Sequence, residues 1–179
     1  MIQEVIQEEN KNFFSPRSLK LDLLKNHLDA IPTLADWVYD EWHPYDASLT
    51  KEKLISRMQT HLNDDRIPLT FVVLSEVSQK LMGTVTLKKQ TIPELNDFPE
   101  DSLWLGSLQV DPQEQNQGIG SELVQFTQKV ANVFGYETVY FYTSNPTNVP
   151  WYLKRGAHFI EERPFRGHCI TLMQLEFKQ

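Results

Sequence analysis

The chain has 179 residues, 40% of them hydrophobic and 23% charged, with a formal net charge of −7; this size and balance fit one globular domain with a real core. The acidic balance excludes nucleic acid as the main partner, because a phosphate backbone needs a basic face, and it is compatible with an amine-bearing substrate. The single cysteine, Cys169, excludes an internal disulfide and a cysteine-based metal cluster.

The opening stretch, MIQEVIQEENK, is acidic and polar and does not resemble a signal peptide, and no run approaches the ~18 apolar residues of a membrane span. A soluble, cytoplasmic protein without a membrane partner is expected. Residues 1–18 show no clear period and read as an N-terminal extension whose Phe13 and Phe14 pack against the remainder, 19–179, taken as one domain. Leu19 to Leu24 reads as a short strand. Ile31, Leu34, Ala35, Val38 and Trp42 recur at helical spacing, which predicts a helix ended by His43-Pro44. Ser48 or Thr50 caps a second helix, with Leu54, Met58 and Leu62 on one stripe.

Leu69–Val77 and Leu81–Lys89 are rich in β-branched residues and read as a hairpin turning at 78–80. Gly83 suggests a bulge or a close backbone approach. Residues 91–102 form a loop with two prolines and four acids. Leu103–Val110 is a buried strand, and Ile119, Leu123, Phe126, Val130 and Val133 mark one face of the helix after it, stopped at Gly135. Thr138–Tyr142 is a further strand, 143–149 a loop, and Trp151–Arg155 a short helix ended by Gly156. Strands near 158–161 and 169–177 close the chain, separated by a polar, proline-containing link. The crossover helix makes the strand pair 103–110 and 138–142 parallel, and the hairpins make the other pairings antiparallel.

The stretch 103–120 carries the chemistry. A strand runs through the turn Asp111-Pro112 into Gln115-Asn116-Gln117-Gly118-Ile119-Gly120 and directly into a helix. The first amides of a helix lack internal partners and favour negative charge, so Gln115 to Ser121 form a phosphate cradle that glycine at 118 and 120 opens to close approach. An ordinary strand-to-helix turn has the same local pattern.

This order and these motifs resemble the GNAT superfamily of N-acetyltransferases. Gln115, Gly118 and Gly120 match its loop pattern, Arg/Gln-x-x-Gly-x-Gly/Ala. Asn145, Tyr152 and Gly156 match its second motif, Asn-x-x-Ala-x-x-x-Tyr followed by glycine, with Asn148 in place of alanine and Pro150 as a departure. The stretches ADWVYDEW, LWLGSLQVDP and VYFYTSN are similar to a branch with small bacterial acetyltransferases and peptide N-terminal acetyltransferases. The resemblance implies an α/β (α+β) fold: a mixed, mostly antiparallel sheet flanked by helices, with a splayed parallel pair at its centre.

It also implies acetyl-CoA as co-substrate, held by Leu108, Gln109 and Val110 along its amide-bearing arm, by Gln115, Asn116, Gln117, Gly118, Ile119, Gly120 and Ser121 at the pyrophosphate, and by Asn145 and Tyr152. The Val110 amide polarises the thioester carbonyl, and Tyr152 is the general acid for the departing thiolate. The expected reaction is direct acetyl transfer to a primary amine, a small molecule or a peptide N-terminus, in a ternary complex. A non-catalytic acyl-CoA-binding or sensing module and a transferase of longer acyl groups are the alternatives.

Other features stay open. Glu41, His43, Glu94, Asp97, Glu100, Asp101 or a water chain are candidates to take the amine's proton. Tyr152 also reads as an aromatic packed on the sheet, and Asn145 as a turn residue. Trp104, Tyr140 and Tyr142 alternate as core or groove lining. Cys169 reads as a small buried hydrophobe. His27, His61, His158 and His168 lack metal-ligand spacing, so no metal is expected. A monomer or a homodimer is equally compatible.

Overall fold

The computed structural model describes residues 1–90 and 92–177. Thr91, where the acidic loop was expected to begin, and Lys178 and Gln179, the end of the expected 19–179 segment, lie outside the described residues. The order is α1 (Ile2–Glu9), β1 (Leu19–Leu23), α2 (Ile31–Trp42), α3 (Lys51–Gln59), β2 (Leu69–Ser75), β3 (Leu81–Lys89), β4 (Leu103–Val110), α4 (Ile119–Val133), β5 (Thr138–Thr143), α5 (Val149–Leu153), β6 (Ala157–Phe165) and β7 (His168–Glu176). Among these residues one seven-stranded sheet runs β1-β2-β3-β4-β5-β7-β6, with β4–β5 parallel and every other pairing antiparallel. The expected fold class holds. No described helix is long and apolar enough to cross a membrane.

Both faces of the sheet are covered, which is why β2 is apolar at consecutive positions. Leu69, Phe71 and Val73 join α1 and α4 on one face; Val72 and Leu74 join α2 and α3 on the other. Helix α2 takes Pro32 in its first turn, where a missing N–H is harmless, and Thr50 Oγ1 accepts from the Lys53 amide to start α3. Pro150, the departure in the second motif, likewise falls in the first turn of α5.

Four sequence expectations change. Residues 2–17 are helical rather than aperiodic: Ile2 and Ile6 are spaced for a helix, and with Phe14 they enter the core beside α4. Asn10 ties this segment to β1 by hydrogen bonds to both the amide and the carbonyl of Leu21. Helix α3 ends before Leu62, because Asn63 Nδ2 donates to the carbonyls of Thr60 and Pro68 and turns the chain back. The last hairpin is longer than expected. β6 includes Pro164, tolerated because β6 is an edge strand, and the turn is Arg166-Gly167 with φ of 49° and 80°. Cys169, opposite Pro164 near the hairpin tip, is exposed rather than buried.

The decisive irregularity is in β4. Thr84 faces Gln109 and Thr86 faces Gly106, so Val85 lies opposite two residues, Ser107 and Leu108. Ser107 takes φ 50° to make this bulge. The parallel pairing of β4 with β5 is confined to Leu103–Val139 and Trp104–Tyr140. Beyond it β4 stays with β3 and β5 with β7, and the strands part.

Phe14 is 0% exposed, so Phe14→Ala should cost about 3–5 kcal/mol in urea unfolding. An effect below about 1 kcal/mol would mean that residues 1–18 are not part of the cooperative core.

Candidate active site

The parting of β4 and β5 leaves a strand edge open. The Asp111 amide donates to Met82 O on β3, so by alternation the Val110 amide points the other way, into the gap. The Val110 carbonyl accepts from Gln115 Nε2 at 3.3 Å. The loop after β4 closes through Asp111, whose carboxylate accepts from the Gln113 amide and pairs with Lys80. Asn116 and Gly118 then take φ of 64° and 87°, and α4 begins at Ile119. The free amides of the first turn of this 15-residue helix face outward. Gly120 has a packing reason as well: a Cβ there would stand 3.3 Å from Trp151 Cζ2. The Arg155 guanidinium lies 3.6 Å from the Trp151 ring centroid, and its Nε donates to Ser121 Oγ at 2.7 Å. Positive charge therefore sits beside a loop, 115–121, that has none of its own. The open strand edge, the outward amides and Arg155 fit the coenzyme's amide arm and its phosphates. Asn145 caps the turn that follows β5, its Oδ1 accepting from the Thr147 amide.

On the face of the sheet that carries α2 and α3 lies a cavity of about 490 Å³. One wall is formed by α2 and α3; the other by residues 92–93, Trp104, Tyr142 and Phe165. Tyr152 reaches it from α5, 9% exposed, its ring packed on Phe141 with centroids 4.5 Å apart. Burial, with a smaller contribution from Glu41, pushes its pKa well above the usual tyrosine value, so the phenol stays protonated at neutral pH.

Of the candidate proton acceptors, Glu41 alone lines the cavity. Its carboxylate accepts from Gln109 Nε2 at 2.5 Å, and Gln109 also donates to Trp37 O, fastening the end of α2 to β4. Desolvation raises the Glu41 pKa above 4.5, the Gln109 hydrogen bond acting in the opposite sense. His43 stacks on Tyr39 and bonds its carbonyl. Glu94 pairs with Arg166, Asp97 with Arg163 and Asp101 with Lys89, while Glu100 is exposed. Trp104 and Tyr142 line the cavity, and Tyr140 packs on Phe98. Among the described residues no group of three or more His, Cys, Asp or Glu is placed to hold a metal.

Sequence reasoning passed over Lys88, Arg57 and the Gln109 side chain, and weighed His61 only as a metal ligand. Thr84, Thr86 and Lys88 form a polar stripe at period 2 on β3, which was the available signal. Lys88 is half-buried, and desolvation together with Arg57 lowers its pKa to about 8. Burial, Lys88 and Arg57 lower His61 to about 4, so it is neutral at pH 7.

A model of the acetyltransferase (GNAT) family matches residues 31–157. A search of the curated proteins gives no match. Among solved structures, spermidine N-acetyltransferase from Vibrio cholerae in complex with CoA and spermine is 18% identical with a TM-score of 0.65, over 89% of this chain and 96% of that one. A chimera of the Vibrio cholerae spermidine N-acetyltransferase and the hSSAT protein is 19% identical, with a TM-score of 0.63 over 89% and 95%. A nucleotide-linked sugar GNAT is 18% identical, with a TM-score of 0.62 over 89% and 86%. At these identities the likeness is one of fold.

A lysine whose folded pKa lies below its unfolded value costs stability below the folded pKa, and the cost is relieved as pH rises from about 8 to 10.5. Lys88→Met should therefore stabilise the fold at pH 7 by on the order of 3 kcal/mol. In denaturant unfolding that advantage should shrink steadily between pH 8 and 10.5.

Proposed function

The chain belongs to the acetyltransferase (GNAT) family, and on that premise we propose that it moves an acetyl group from acetyl-CoA to a primary amine by direct transfer in a ternary complex. The observation that carries this reading is the convergence, at the gap between β4 and β5, of an open strand edge, a helix N-terminus and the buried phenol of Tyr152. The neighbour solved with CoA and spermine supports both a CoA donor and an amine acceptor.

The bound co-substrate supplies an activated acyl group as a thioester. The amides of Gln115 to Ser121, with Arg155 beside them, hold the pyrophosphate, and the free edge of Leu108–Val110 pairs with the amide arm. Asn145 borders that arm. The Val110 N–H donates to the thioester carbonyl and strengthens that bond as negative charge grows on the oxygen. Glu41, its pKa raised by desolvation and its carboxylate fixed by Gln109, takes the proton of the attacking amine directly or through one water. Tyr152 gives its proton to the sulfur as the carbon–sulfur bond breaks, and the proton taken up by Glu41 returns to the phenolate through solvent. The raised pKa of Tyr152 keeps the proton on the phenol until charge develops on the sulfur. The products are an amide and a free thiol.

Tyr152→Phe keeps the ring packing and removes the donor. Release of free thiol should fall by about 10²–10⁴-fold in kcat, with calorimetric CoA affinity retained. Binding without release from any amine by the unmodified protein would leave the acyl-CoA-binding module instead. Glu41→Gln should abolish an acid limb of kcat/KM that lies above the pH at which an exposed glutamate titrates; an unchanged profile would remove Glu41 from the role of base.

A further inference from the structure

Two cations in the cavity have no answering group among the described residues. Lys89 is held by Asp101 and Tyr136, and Arg166 by Asp46 and Glu94. Lys88 and Arg57, which line the same space, have neither a hydrogen bond from their charged ends nor an ion pair among the described residues. The Lys88 chain lies across Gly106, its Cε 3.1 Å from where a Cβ at 106 would stand. Its side chain borders a side recess of about 40 Å³, where Arg57, His61, Thr70, Thr84 and Thr86 share the wall with apolar side chains of α2 and α3. Inside, the Thr70 and Thr86 hydroxyls bond each other at 2.8 Å, and His61 Nδ1 bonds Thr70 Oγ1 at 3.2 Å. The charges that act on Lys88 and His61 are cations, with no carboxylate among them.

Glu41 belongs to the other end of the cavity. It acts on Tyr152, whereas Lys88 and Arg57 act on His61, and Tyr142 lies between, within reach of both Glu41 and Arg57. The cavity therefore has an acidic end beside the phenol and a cationic end in the recess. A half-buried, unpaired ammonium is costly for a fold to keep, and the cost falls when an anion completes the pair.

We propose that the acceptor is an amine that also carries an acid group, a carboxylate or a phosphate, seated between Lys88 and Arg57 while its amine faces Glu41 and Tyr152. This rests on the acetyltransferase reading for the direction of the amine. A polyamine entering the same way would set a second ammonium against two cations.

The test measures thiol release from acetyl-CoA with ω-amino acids, phosphoethanolamine, uncharged alkylamines of matching length and spermidine. Acid-bearing amines should exceed the uncharged ones by about tenfold or more in kcat/KM, and the carboxylate and phosphate arms identify which acid is read. Lys88→Met and Arg57→Gln, the latter an exposed change on α3, should each raise KM for the acid-bearing amine by about 10–100-fold, with the loss in KM rather than kcat. A preference for spermidine or alkylamines, or a KM indifferent to both changes, overturns the proposal. Calorimetry of N-acetyl ω-amino acids and phosphoethanolamine with CoA present separates the two readings. Binding that depends on Lys88, without turnover of any amine, supports the acid subsite and removes the transferase. Absence of both binding and turnover with the acid-bearing compounds overturns the subsite, whatever other amines are acetylated.

Discussion

The structure depends on one steric constraint: β4 cannot stay paired on both edges. The extra residue at Ser107–Leu108 bends the strand, and its cost, a non-glycine residue at φ 50°, is set by the backbone and independent of any ligand. Antiparallel pairing with β3 survives across the bulge and resumes at Gln109 and Val110. Parallel pairing with β5 does not, and stops after Trp104. A single irregularity thus opens a slot in a sheet that is otherwise continuous. The slot is bounded by the N-terminal turn of α4, because the chain leaves β4 at that point and has to cross over to β5.

The two faces of the sheet divide the remaining work. The face under α1 and α4 is a dry core containing Phe71, Phe126 and Phe141. The opposite face is shared between two separate apolar clusters, one under α2 and α3 and one under residues 92–98 and the β6–β7 hairpin. The cavity lies between them, so its polar groups come both from its floor, as Lys88 does, and from its walls, as Glu41 on α2 and Arg57 on α3 do. Ion pairs from Arg166 to Asp46 and Glu94 join the two rims. Such exposed pairs contribute little stability, but they fix the separation of the walls.

How much of this the sequence carried depended on the range of the interactions. Local signals were sufficient for α2, where apolar spacing and Pro32 agree, and for the loop and start of α4, where Gly118 and Gly120 mark the turn. The pairing of Glu41 with Gln109, 68 residues apart, has no local trace, and neither has the docking of residues 2–17 against α4. Lys88 was hidden for a different reason. Next to Lys89 it reads as the polar end of a strand, although period 2 places the two on opposite faces, one against the recess and one beside Asp101 and Tyr136. Cys169 failed in the reverse sense, because an apolar run does not reveal how far a hairpin projects beyond the sheet it belongs to.

Gly106 faces Thr86 across the ladder, and the space where its side chain would be is occupied by the methylenes of a lysine from the next strand. The reach of that lysine is therefore governed at a backbone position that also lines the cavity. A larger residue at 106 would press on the lysine chain and move its charge, and with it one wall of the recess. The placement of one charge in this cavity is in that sense tunable in single steps, by the bulk of a neighbour.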